Sequence, residues 1–174
     1  IPDNIEAISY IPETFFLHHQ NERGWKWMKH IMQNLKQDHT HQIATGRNGD
    51  YPEVSYVLIQ NMVKDLLGIV PDAAQNSVAT LSHLPAEIEA LGAHHLKIGN
   101  ALVSVEHESR SKTKFSYESG DETLLWKASF PGAHDDLLVN GDRQPCSQSK
   151  DFGQIYSYVT LALEMGDNIV VNIP

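Results

Sequence analysis

Basic residues are in short supply: 13 Lys and Arg stand against 22 Asp and Glu, a formal net charge of −9. Phosphate backbones bind positive surfaces, so this balance argues against a nucleic-acid partner. Cysteine is nearly absent. The one thiol, Cys146, excludes an internal disulfide, and with no activating base beside it the residue reads as a plain loop thiol, not a nucleophile. No apolar run is long enough to span a bilayer and none is laid out as a signal peptide, so no membrane partner is expected. There is no phosphate-cradling glycine loop and no Gly-x-Ser-x-Gly elbow, and no cofactor is expected. Residue 1 is Ile, not Met, so an upstream segment, a signal peptide included, is an expectation.

What is present is ordinary globular material: 174 residues, 41% hydrophobic and 20% charged, enough for one good core or two small ones. The most site-like stretch is Gly46-Arg47-Asn48-Gly49-Asp50-Tyr51-Pro52-Glu53. Its glycines and Asn48 predict a flexible turn, and Pro52 predicts the first position of a helix, where a missing N–H has no intrahelical partner. Asp50 or Tyr51 would cap that helix, and Glu53 would sit in its first turn, where the dipole favours a carboxylate.

The spacing predicts three helices: a short one from Pro12 to Gln20, a second after an Asn21 cap, and a third over 52–67. In the second, Trp25, Met28, Met32 and Leu35 form one apolar stripe, with Arg23-Gly24 in a turn before it. The third carries apolar residues around most of its circumference, which predicts burial on all sides. The first is similarly apolar. Buried, amphipathic, buried is the order of an α/α barrel, yet three helices cannot close one.

From Pro71 onward the texture becomes that of strands: 77–82, 94–98, 101–108, 111–118, 122–130, 135–139, 154–163 and 168–173. Val103, Val105 and His107 alternate with polar neighbours, as do Thr113, Phe115 and Tyr117, and Leu124, Trp126, Ala128 and Phe130. Asn140-Gly141 is a hairpin signal. The expected class is therefore α+β, a helical segment over 1–70 followed by an antiparallel β-sandwich over 71–174.

Gly-Asp-Tyr-Pro-Glu-Val-Ser-Tyr at 49–56, Leu-Leu-Gly-Ile at 66–69 and Pro-Asp-Ala at 71–73 are joined by Leu-Leu-Trp-Lys-Ala-Ser-Phe-Pro-Gly at 124–132 and Leu-Leu-Val-Asn-Gly at 137–141. Together they resemble the C-terminal end of bacterial six-hairpin glycosidases, (α/α)6-barrel enzymes that include α-L-rhamnosidase-like proteins. The resemblance implies the last barrel hairpins plus the trailing sandwich of a glycoside hydrolase acting on poly- or oligosaccharide. It implies catalytic roles for Asp50 or Glu53, and sugar contacts from Arg47, Tyr51, Tyr10 and Glu13 on one rim. It also implies a partner carboxylate elsewhere in the parent barrel, so that the chain alone would be inactive. The resemblance fits a periplasmic or secreted bacterial location, with a cytoplasmic one left open, and it implies carbohydrate and the rest of the barrel, or self-association through exposed apolar helices, as partners. The alternative is a non-catalytic carbohydrate-binding or scaffolding module.

Each candidate also has a plainer explanation. Asp50 and Glu53 suit a cap and a first-turn acid, and Trp25 suits core packing. Asp38-His39-Thr40-His41 could offer imidazoles to zinc or nickel, but without a Cys or Glu-bearing motif no metal is expected. His18-His19 and His94-His95 are adjacent pairs expected to diverge on regular elements.

Overall fold

The computed structural model describes residues 4–39 and 46–174. They form two compact units, the first ending at Leu66 and the second beginning at Leu67. Helices fill the first and strands the second, the α+β class the sequence predicts.

In the helical unit, Asn4 caps a short helix α1 (Ile5–Ile8), its Oδ1 accepting the Ala7 N–H at 3.3 Å. This helix precedes the three that the sequence predicts. Helix α2 (Ile11–Leu17) has Pro12 in its first turn, and α3 (Asn21–Asn34) follows directly. Gly24 lies inside α3, not in a turn. A Cβ there would come within 2.7 Å of the Phe16 ring, so only glycine lets α2 and α3 approach this closely. That contact also sets which side of α3 faces inward: Asn21, Gly24, Met28 and Ile31 are buried, in place of the Trp25–Met28–Met32–Leu35 stripe. Trp25 is half-buried, with the Lys29 ammonium 5.8 Å from its ring.

The third predicted helix is two elements, α4 (Pro52–Gln60) and a π-helical segment at Asn61–Leu66. Pro52 does open it. Burial on all sides is not found. Val54 and Leu58 are buried, while Tyr56 is 70% and Ile59 57% exposed. Three residues apart, those two share one helix face. The same holds at α2, where Phe16 is buried but Tyr10 and Leu17, seven apart, are 51% and 55% exposed.

The second unit is a two-sheet sandwich. Strands β1 (Ile69–Asp72), β2 (Ser77–Leu81), β6 (Leu124–Pro131), β9 (Ser147–Asp151) and β10 (Gln154–Leu163) form one sheet, ordered β1-β2-β6-β10-β9. The other is ordered β3-β4-β5-β11-β7-β8, from β3 (Ala90–Ile98), β4 (Ala101–Glu108), β5 (Lys112–Ser119), β7 (Asp136–Val139), β8 (Asp142–Pro145) and β11 (Asn168–Asn172). Strand pairs are antiparallel except β2 with β6, which run parallel. The predicted alternation is realised: Val103, Val105 and His107, Thr113, Phe115 and Tyr117, and Leu124, Trp126, Ala128 and Phe130 are all buried. Phe115 stacks on Trp126 across the sandwich at 4.7 Å, and the indole N–H donates to Thr80 Oγ1 at 2.9 Å. Asn140 (φ 51°) and Gly141 (φ 92°) make the tight β7–β8 turn.

His107 is the polar member of this core. Its Nε2 lies 2.9 Å from the Leu67 carbonyl and its Nδ1 2.9 Å from Thr113 Oγ1. The carbonyl can only accept, so Nε2 carries the proton and the threonine hydroxyl donates to Nδ1. Burial pulls its pKa down to about 4, against the hydrogen bond to Leu67, which raises it.

Candidate functional site

The loop that ends in Pro52 is held, not loose. Asn48–Asp50 make one 3₁₀ turn, laid against the end of α3 by Gly49 N–H to the Leu35 carbonyl (2.8 Å) and Asn48 N–H to Gln37 (2.9 Å). The Asn48 side-chain amide donates to the Asn34 carbonyl at 3.0 Å. A Cβ at Gly49 would meet the Leu35 oxygen at 3.2 Å, so the second glycine serves close approach.

With its amide so oriented, Asn48 turns its Oδ1 to His39 Nδ1 at 3.2 Å. Nδ1 therefore carries a proton and Nε2 faces Glu6, whose Oε2 is 3.9 Å away. The His39 side chain is 3% exposed and stacks on Tyr51 at 3.9 Å between ring centroids. His39 and Asn48 thus form the frame under Tyr51. The sequence offered Asp38-His39-Thr40-His41 as a possible metal motif; His41 and Thr40 lie outside the described residues. Among the described residues no group of three or more metal-capable side chains is arranged to hold an ion.

The sequence candidates separate into distinct roles. Asp50 Oδ2 accepts the Arg47 N–H at 2.9 Å, so this carboxylate caps its own 3₁₀ turn and not α4. Tyr51 takes the cap position of α4 without a side-chain hydrogen bond. Arg47 is exposed, its backbone bridged to Asp38. Glu53 is exposed in the first turn of α4, and its carbonyl accepts the Ser9 hydroxyl at 3.2 Å. That bond brings the Ser9–Tyr10 junction against the start of α4. Glu13 belongs elsewhere: its carboxylate pairs with Lys64 in the π segment at 2.7 Å. Lys64 is held above its ordinary value, first by that hydrogen bond.

One carboxyl that the sequence candidates omit is electrostatically unusual. Asp65 is buried and its pKa is pushed up to about 6, by burial first, with Lys64 opposing and Glu13 adding to the rise. The signal was a charged residue in an otherwise apolar helix. Its burial places it inside the helical packing, away from a ligand in solution.

In the sandwich, the adjacent His94 and His95 do not diverge. A β-bulge between Ala93 and Leu96, with His95 at φ 55°, leaves their rings 6.5 Å apart. His94 Nε2 lies 3.8 Å from Glu106 and His95 Nδ1 2.7 Å from Glu118, whose carboxyl is held low first by Ser104 and then by His95.

No family model matches the chain, and no curated protein does. Among solved structures it is similar to a GH127 β-L-arabinofuranosidase from Geobacillus stearothermophilus T6, at 14% identity and a TM-score of 0.40. The likeness covers 70% of this chain and 19% of that one, so the chain spans about a fifth of that enzyme's length.

Proposed function

We propose that the chain is a C-terminal portion of a six-hairpin glycoside hydrolase-like protein, in which the helical unit lends wall to a carbohydrate cleft. The observation carrying this reading is the exposed apolar surface of the helices, Tyr56 with Ile59 on α4, and Tyr10 and Leu17 at the cap and the last residue of α2. Exposed apolar patches mark interaction surfaces, and a further helical layer is the partner this reading supplies. The quoted sequence motifs supply the family. Glu53 is the carboxylate best placed to meet a sugar, because Asp50 is committed to its cap and Glu13 to Lys64.

Light scattering on the purified chain tests the first part. The expected outcome is self-association that Tyr56→Ser combined with Ile59→Ser abolishes; a monomer at every concentration removes the uncovered-wall reading. In the parent-length protein, Glu53→Gln is expected to cut glycoside turnover at least about a hundredfold, within the range set by positioned acids and bases. Turnover at the wild-type rate removes Glu53 from the chemistry.

A further inference from the structure

The sandwich carries a cleft of about 600 Å³, lined entirely by residues of its own unit. Arg110, Glu89, Glu108, Ser109 and Ser111 supply its polar lining, and Ile88 and Pro131 part of its apolar wall. Its three segments are tied together by backbone and hydroxyl bonds. Ser109 N–H donates to the Glu89 carbonyl at 2.7 Å, the Ser82 hydroxyl to the Ser109 carbonyl at 2.7 Å, and Ile173 N–H to the Ser111 carbonyl at 3.0 Å. The cleft is therefore formed before any ligand arrives.

Three charged side chains line it, Glu89, Glu108 and Arg110. Glu108 pairs with Lys112 at 2.8 Å, but among the described residues no ion pair joins Arg110 to Glu89. A guanidinium supplies donors only and a carboxylate acceptors only, while the two seryl hydroxyls bond each other at 2.8 Å and brace the loop, Ser109 Oγ accepting the Ser111 N–H at 3.3 Å. A ligand that satisfies such a set presents donors and acceptors side by side, as vicinal hydroxyls do. The apolar wall beside them matches the C–H face of a sugar ring. The volume exceeds what one monosaccharide needs and falls within the usual range for small-molecule sites.

The geometry points to this cleft as a carbohydrate-binding subsite on the sandwich, gripping a neutral oligosaccharide through Arg110 and Glu89. It adopts the ligand class proposed above but not that site. The test is calorimetric titration of the chain with xylo-, arabino-, cello- and galacto-oligosaccharides, alongside Arg110→Ala, Glu89→Gln and Glu53→Gln. Binding of at least one series is expected, weakened about tenfold or more by Arg110→Ala and several-fold by Glu89→Gln. Arg110 and Glu89 are exposed, so unaltered melting curves are expected to accompany the loss. Binding that survives Arg110→Ala but falls with Glu53→Gln overturns the sandwich subsite and leaves the helical reading standing. Binding of free amino acids or short peptides in place of every sugar overturns the ligand class, and no binding at all overturns the subsite.

Discussion

The helical unit and the sandwich bury apolar surface in different ways. Trp126, Phe115, Tyr117 and Phe130 are all but fully enclosed between two sheets, and the Trp126 indole has its hydrogen-bond partner within the same core. The helices enclose Phe16, Met28 and Ile31 but leave Tyr10, Leu17, Tyr56 and Ile59 in water. The sandwich shields its largest aromatics and leaves Val70, Leu125, Phe152, Ile155 and Met165 exposed on its surface, whereas the helical unit leaves apolar side chains on α4 and at both ends of α2 uncovered by the described residues. Apolar content alone does not separate these cases; periodicity does only when both faces of an element are accounted for.

The sharpest way to break that comparison is Trp126→Ala. Removing a fully buried aromatic is expected to cost about 3–5 kcal/mol, read from thermal or denaturant unfolding. A loss under about 1 kcal/mol would mean the sandwich core is no more centred than the helical one.

The two units also answer pH with opposite sign. His107, buried neutral with its pKa lowered from 6.5 to about 4, binds fewer protons folded than unfolded. Its contribution is fully present above pH 6.5 and is lost as pH falls towards 4, by roughly 3 kcal/mol. Asp65, raised from 3.8 to about 6, binds more protons folded, so its contribution is lost as pH rises across that window. Asp65→Asn is thus expected to stabilise the chain above pH 6 and to have no such effect below pH 4. Melting temperature against pH for this variant and for His107→Gln checks both; a flat Asp65→Asn difference across the range contradicts the sign.

The smallest effect sharpens the picture inside the helical unit. Gly24→Ala adds a methyl where the Phe16 ring stands and is expected to cost about 1–2 kcal/mol, even though alanine is the better helix former. A gain in stability, measured by the same unfolding curves, would show that α2 can retreat from α3.

The sandwich was the more legible half because period-two alternation marks one buried face. It failed where no face is buried: β8 and β9 are exposed at every position, so neither alternates, and β1 is too short and too exposed past Ile69 to register. The helical half misled by abundance. Apolar residues all round 52–67 predicted burial that the chain's own neighbours do not supply, and the inward line of α3 was set by a glycine, which no hydrophobic pattern records. In the 46–53 loop the candidate acids were visible, but their division of labour was not. Which carboxylate caps a turn, and which stays open, depends on hydrogen bonds such as Asp50 to the Arg47 N–H. The frame of His39 and Asn48 under Tyr51 is likewise a tertiary arrangement, hidden among isolated polar residues.

The parallel alignment of β2 with β6 has a consequence for how the polypeptide assembles. Ser77 cannot meet Leu125 until everything between them has been spun out and folded aside. The meander of β3, β4 and β5 closes from near neighbours, as do the β1–β2 and β9–β10 hairpins, whereas β2–β6 and β5–β11 join distant segments. Each sheet thus joins short-range hairpins through long-range pairings.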